Sequence, residues 1–225
     1  MAEHHPRPQH VWNDMVAGNA RFIAGEPEHP NQDVARRAST EAGQAPRAAL
    51  FGCSDSRLAA EIIFDNGLGD LFVVRNAGHI ISDSVIASLE YATAMLGVSL
   101  IVVLAHDSCG AIHAAIESRA PHPAPLPVRI ETMLDPIIPS VQSVWLAEHS
   151  NTPYVDPKQI SAEKVNRHHL RTTVSSLLYS SEVLSDAVAS GDVGIIGAHY
   201  RLSEGRVEPI IAVGEFDAAL IESIP

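Results

Sequence analysis

From Leu100 to Ala105 the chain runs Leu-Ile-Val-Val-Leu-Ala with no polar side chain. A run this short and this rich in β-branched residues reads as a strand. Its lack of alternation means that both faces are buried, as in a parallel sheet covered by helices. Two shorter apolar runs precede it, Ala48 to Gly52 ending at Cys53, and Leu71 to Val74 ending at Arg75. Between the second and third runs, Val85, Leu89, Ala92 and Leu96 share one helical face. Ser82 or Asp83 can cap that helix and Gly97 can end it. Strand, helix, strand at this spacing is a βαβ unit with a right-handed crossover. The expected fold class is α/β: a mainly parallel sheet core with flanking helices, an N-terminal helical arm and an antiparallel C-terminal edge strand.

The remaining segments fill in this plan. Residues 1–10 read as a flexible tail and 11–225 as a single domain. Trp12 to Ala24 reads as an amphipathic helix. Residues 119–139 carry Pro121, Pro123, Pro125, Pro127, Pro136 and Pro139, and the alternating prolines imply an extended surface loop over Pro121 to Pro127. A long helix is expected from Ser161, with a break near Ser180 and an end at Gly191. Gly194 to Leu202 and Arg206 to Val213 read as two strands joined at Ser203-Glu204-Gly205.

Composition narrows the partners. The formal net charge is −12, which disfavours nucleic acid and anionic membrane surfaces. The six-residue run from Leu100 is far short of the roughly 20 apolar residues of a spanning helix. The His- and Pro-rich start has no apolar core and is not a secretory signal. Only two cysteines occur, Cys53 and Cys109, too few for a disulfide framework. The expected location is therefore the cytoplasm.

Both cysteines fall just past predicted strands. Cys53, Asp55 and Arg57 form Cys-x-Asp-x-Arg, and His106 and Cys109 form His-x-x-Cys followed by Gly110. Ligands of open α/β sheets bind outside the carboxyl ends of the strands, so neighbouring strands would bring these groups to one rim. Two thiolates and an imidazole suit zinc, leaving a fourth position for water or Asp55. Other readings stay open on the residues alone. Cys53 also fits a small buried hydrophobe, Asp55 a helix cap, and Arg57 a local partner of Asp55. A closed zinc-binding protein and a metal-free thiol enzyme are the competing classes. His113 sits on a short helix and reads as structural.

The ordered set Cys53-Ser54-Asp55-Ser56-Arg57, Arg75-Asn76-Ala77-Gly78 and His106-Asp107-Ser108-Cys109-Gly110 resembles the β-class carbonic anhydrases. Gly18-Asn19-Ala20-Arg21-Phe22, Glu90-Tyr91-Ala92 and the stretch from Gly197 through Tyr200 to Gly205 resemble flanking parts of that family. The likeness runs from about Asn13 to Val213. It implies one zinc per chain on Cys53, His106 and Cys109. Asp55 would be the fourth ligand in a closed state, or the partner of Arg57. In the second case water takes the vacant position, and Asp55 orients the zinc-bound hydroxide that attacks carbon dioxide, giving bicarbonate and a proton. The resemblance implies a zinc-dependent carbon–oxygen lyase. A related hydrolase of carbonyl sulfide or carbon disulfide is the alternative. Substrate-pocket positions would be Gln44, Phe72, Ala77, Tyr91 and Gly110, with Gln44, Phe72 and Tyr91 favouring the open branch of the family. Such pockets form across a homodimer, or a dimer of dimers, so that Gln44 would serve the neighbouring subunit. Ala105 stands where many relatives have Gly. His79, beside Gly78, reads as a plain surface histidine, with a proton shuttle as the other reading.

Overall fold

The computed structural model describes residues 6–149, 152 and 154–224. In chain order the elements are α1 (Pro8–Ala24), α2 (Val34–Ser39), β1 (Ala48–Cys53), α3 (Ala60–Ile63), β2 (Leu71–Asn76), α4 (Asp83–Ala94), β3 (Leu100–His106) and α5 (Gly110–Glu117). There follow α6 (Val128–Leu134), a 3₁₀ turn (Asp135–Ile137), α7 (Ile138–Glu148), α8 (Ala162–Ser180), α9 (Glu182–Ala189), β4 (Gly194–Arg201), β5 (Arg206–Val213) and α10 (Ala218–Ser223).

The sheet order is β2-β1-β3-β4-β5, with β4 and β5 antiparallel and every other pair parallel. The α/β expectation holds, including the antiparallel edge. Successive residues of a strand face opposite sides, and the sheet therefore splits the interior into two cores. Ala48, Leu50, Leu100, Val102 and Leu104 pack on one side with Val11, Trp12 and Ile63. Ala49, Phe51, Ile101, Val103 and Ala105 pack on the other with Val85, Leu89 and Ala92. The chain leaves β1 for β2 on one side, then recrosses to β3 on the other. The gap between β1 and β3 is therefore the topological switch point, where open α/β sheets place ligands.

Several boundaries differ from the sequence reading. Helix α1 begins at Pro8, ahead of Trp12, so residues 8–10 belong to the helix and not to a tail; residues 1–5 lie outside the described residues. Proline suits the first helical turn because its missing N–H has no intrahelical partner there. Gln9 docks this end by accepting the Asp217 N–H at 3.0 Å. Pro121 to Pro127 is neither helix nor strand, as expected. The second half of the proline-rich segment is helical, with Pro136 and Pro139 at first-turn positions. The break in the long helix falls at Ser181, whose hydroxyl caps α9 by accepting from Leu184 N–H and donates to Glu90.

The N-terminal arm is pinned by close approach. A Cβ on Gly18 would sit 1.9 Å from the Phe64 carbonyl oxygen. The next residue, Asn19, is buried and bridges three backbone groups. It donates to the Ile63 and Gly205 carbonyls and accepts from Val207 N–H. A Gly18→Ala substitution must push α1 off Phe64, and we expect it to cost about 1–3 kcal/mol, as overpacking does. The shift of a urea unfolding midpoint checks this.

Besides His106, three of the described histidines lie in the interior. His79 and His199 are fully buried and His169 nearly so. The surface reading of His79 is corrected: its ring packs against that of His169, tilted by 48° with centroids 4.7 Å apart, sealed from solvent. Burial lowers His169 and His199 to about 4 and His79 well below its ordinary value. All three are neutral in the folded chain at pH 7, whereas unfolding frees them to take protons near 6.5. Below pH 6.5 the unfolded chain binds more protons, so stability falls as the pH drops from about 6.5 to about 4. Each proton taken up on unfolding contributes a slope of about 1.4 kcal/mol per pH unit. Urea midpoints measured across this range should fall steeply; a flat profile would contradict neutral burial.

Candidate metal centre

The site forms where β1 and β3 end. Cys53 closes β1 and His106 closes β3, on neighbouring parallel strands. Past His106 the chain turns through Ser108 with φ +52°, a left-handed conformation that folds Cys109 back to the start of α5. The donor atoms of Cys53, His106 and Cys109 all lie within 4.8 Å of one another, and all three residues are buried. Donors on one tetrahedral zinc lie about 3.4–3.8 Å apart, given Zn–S of about 2.3 Å and Zn–N of about 2.0–2.1 Å. The cluster is of that size.

The chemistry of the donors fits the metal. His106 Nδ1 lies 2.8 Å from the Asp107 carbonyl oxygen, which can only accept, so Nδ1 carries the proton. That leaves Nε2 as a bare lone pair, buried and with no protein partner. An orphaned buried nitrogen beside two thiols is a ligand atom in need of a cation. Each thiol acts on the other: the neighbouring Cys109 side chain lowers the pKa of Cys53, and Cys53 raises that of Cys109. Cys53 Sγ also accepts the Gly78 N–H at 3.4 Å.

Asp55 and Arg57 stand at the mouth. Arg57 donates Nε–H to Asp55 Oδ1 at 2.9 Å and Nη2–H to Oδ2 at 2.7 Å, a bidentate pair. Asp55 Oδ1 also accepts the Arg57 backbone N–H. These bonds hold the Asp55 carboxyl well below the usual carboxylate range. Asp55 Oδ2 is 4.0 Å from His106 Nε2, so the carboxylate faces the donor set. Arg57 also reaches the Ser108 carbonyl at 3.3 Å and ties the two loops together. Arg75 braces the first loop by donating to the Cys53 and Asp55 carbonyls. Its part in the geometry was not legible from the motif alone.

The pocket positions divide. Ala77 and Gly110 follow the strand end and the helix start that frame the cluster. Phe72 pairs with Ala49 in the sheet register, far down the strand from the Cys53–Asn76 level. Its ring lies 6.2 Å from that of Tyr91, which is half exposed on α4. Gln44 is exposed in the loop before β1. At about 3.3 Å per residue β1 itself spans about 17 Å from Ala48, after that loop, to Cys53. Gln44 is outside this subunit's donor set. His113 is exposed on α5, also outside it.

Comparison with known proteins agrees with this geometry. A sequence model of the family described as carbonic anhydrase matches residues 48–207, from the first residue of β1 to the start of β5. Carbonic anhydrase 2 of Mycobacterium tuberculosis is 44% identical over 200 residues, covering 88% of this chain and 91% of that one. The carbonic anhydrase of Mycolicibacterium smegmatis is 42% identical over 201 residues, covering 89% and 92%. Among solved structures, a tetrameric β-carbonic anhydrase of Sordaria macrospora superposes with a TM-score of 0.67 at 22% identity, covering 92% of this chain and 100% of that one. The Coccomyxa β-carbonic anhydrase in complex with acetazolamide gives 0.64 at 23% identity, covering 91% and 84%. Its sheet, its donor set and these relatives agree, and the chain belongs to the β-carbonic anhydrase family.

Proposed function

We propose that this chain catalyses the reversible hydration of carbon dioxide to bicarbonate and a proton, with one zinc ion held by Cys53, His106 and Cys109. The observation that carries the reading is the buried three-donor cluster with an ionised carboxylate clamped at its edge. Zinc, when bound, supplies a Lewis acid that brings the pKa of a water from 15.7 to about 7, so that a nucleophile is available near neutral pH.

The chain's own residues orient and protect. Asp55, kept ionised by Arg57, can only accept hydrogen bonds. It takes the O–H of the attacking water at Oδ2 and so turns a lone pair toward the carbon of the substrate. Because Arg57 occupies both carboxylate oxygens, Asp55 stays off the donor set, and the arrangement supports the open state. The water's proton passes to solvent or buffer, because His79 is sealed in the interior and offers no exit. Carbon dioxide itself needs only a dry surface beside the nucleophile. No observation favours carbonyl sulfide or carbon disulfide as the substrate, and a hydrogen-sulfide release assay separates those activities.

The working unit we propose is a homodimer in the cytoplasm, with a dimer of dimers as the larger assembly. Strand β2 is one of the two outer strands of the sheet, at the edge next to β1, and its Leu71, Phe72, Val73 and Val74 are only half buried, unlike their fully buried neighbours in β1. An outer strand with an unpaired edge and apolar side chains is a surface that a second copy completes. On this reading Phe72 and Tyr91 line the neighbour's pocket, and Gln44 reaches the neighbour's zinc. The two buried free thiols suit a reducing compartment. No described helix is long and apolar enough to cross a membrane.

Stopped-flow hydration with zinc-loaded protein is the decisive experiment, and a rate equal to buffer alone would sink the proposal. Cys53→Ser should lose both zinc and activity. Asp55→Asn should keep zinc and lower kcat by about 10²-fold, the scale of a positioned proton acceptor. Phe72→Glu should shift the assembly toward monomer, read by light scattering after gel filtration.

A further inference from the structure

Helix α8 passes from one core to the other at the strand ends. Val165 packs in the first core, and Leu170 and Val174 in the second. Between them, two buried polar residues donate to backbone carbonyls of the site loops. Asn166 Nδ2 donates to the His106 carbonyl at 2.6 Å. His169 Nε2 lies 3.1 Å from the Gly78 carbonyl oxygen. A carbonyl can only accept, so Nε2 carries the proton of the neutral ring. Gly78 is also the residue whose own N–H reaches Cys53 Sγ.

Gly78 sits in a turn that needs holding. It has φ +82°, and His79 after it has φ +43°, a conformation few side-chain-bearing residues adopt. A Cβ on Gly78 would lie 2.9 Å from Ala111 Cβ. Asn76 clasps the turn from within by accepting the Ile80 N–H and donating to the Ile80 carbonyl. His169 clasps it from outside, through the Gly78 carbonyl and through contact with the tilted His79 ring. Few other orientations of the Gly78 N–H survive both clasps.

We propose that His169 is a positioning residue for the metal centre: by holding the Gly78 carbonyl it fixes the hydrogen bond from the Gly78 N–H to Cys53 Sγ. Asn166 does the same for the strand end that carries His106, and α8 thereby braces two of the three donors from behind. The proposal rests on the reading of Cys53, His106 and Cys109 as zinc ligands. A hydrogen bond to a ligating sulfur fixes its direction and withdraws electron density from it, which changes both metal affinity and the spectrum of a bound metal.

The test compares wild type with His169→Leu, His169→Asn and His169→Gln. Glutamine can place an amide N–H near the position of Nε2, and asparagine is too short to reach Gly78. Zinc affinity is read by competition with a chromophoric chelator, and the Cys53 bond by the sulfur-to-cobalt charge-transfer band of cobalt-loaded protein. The Leu and Asn variants should bind zinc about tenfold more weakly with a shifted band, and Gln should recover both. A role in core packing alone would lower the melting temperature of all three and leave the band in place. If the Leu variant does not fold, the Asn–Gln pair decides. Affinity within about twofold of wild type and an unmoved band in the Asn variant would overturn the proposal, as would a Gln variant no better than Asn. A wild-type chain that takes up no zinc would overturn the metal reading, and this proposal with it.

Discussion

Two thiols and a bare imidazole nitrogen lie within 4.8 Å of one another in the interior. The rest of the molecule is arranged around keeping them there. Without a cation this is an unfavourable grouping. The nitrogen has no partner in the protein, and the two thiols perturb each other's ionisation in opposite directions. A soft divalent metal turns the same three atoms into a favourable centre, since each lone pair then has a charge to face. The fold meets the cost with rigidity. Two adjacent parallel strands, buried on both faces, deliver Cys53 and His106 to the same level, and the left-handed turn at Ser108 delivers Cys109.

That much was legible in the sequence, for a physical reason. A strand buried on both sides must be apolar throughout, so Ala48 to Gly52 and Leu100 to Ala105 announce themselves and their ends locate the rim. The rim residues then stand out because a polar cluster straight after a core strand has few structural excuses. Asp55 and Arg57 stood out as candidates, but the residues alone also allowed a helix cap and its local partner, and only the resemblance to the β-class carbonic anhydrases gave them roles at the site. Ala105, in place of glycine, packs into the second core without distorting the strand end, since a methyl group there finds the same apolar surroundings as Ile101 and Val103.

What escaped the sequence lies in contacts between distant segments. The burial of His79 depends on α8, 90 residues further on, whose His169 covers it. Periodicity along a helix shows which face is apolar, but not that a polar residue on that face meets a carbonyl. Asn166 and His169 therefore read as ordinary helix residues until the backbone of Gly78 and His106 is placed against them. The start of α1 was misplaced for a similar reason: Pro8 and Gln9 are held by the C-terminal segment, through Asp217. Gln44, Phe72 and Tyr91 do not join the subunit's own donor set: Phe72 lies on the outer strand β2 beside Tyr91 of α4, and Gln44 in the loop before β1.

The net charge of −12 and the local chemistry are nearly independent. The acidic balance disfavours polyanions but sets nothing at the rim, where Arg57 and Arg75 donate the hydrogen bonds that hold the loop. What does couple stability to the site is the polar bracing behind it. Burial keeps His169 and its neighbour His79 neutral, and the neutral His169 donates from Nε2 while its ring lies tilted against that of His79. The rigidity that orients Cys53 is therefore bought with interior imidazoles that acid would charge. A hydrocarbon core at those positions would tolerate acid better, but it would offer the Gly78 carbonyl no donor. On the proposal that His169 positions Cys53, the part of the expected acid sensitivity that comes from His79 and His169 and the bracing of the metal centre share one structural origin, the α8 face that packs on the Gly78 turn.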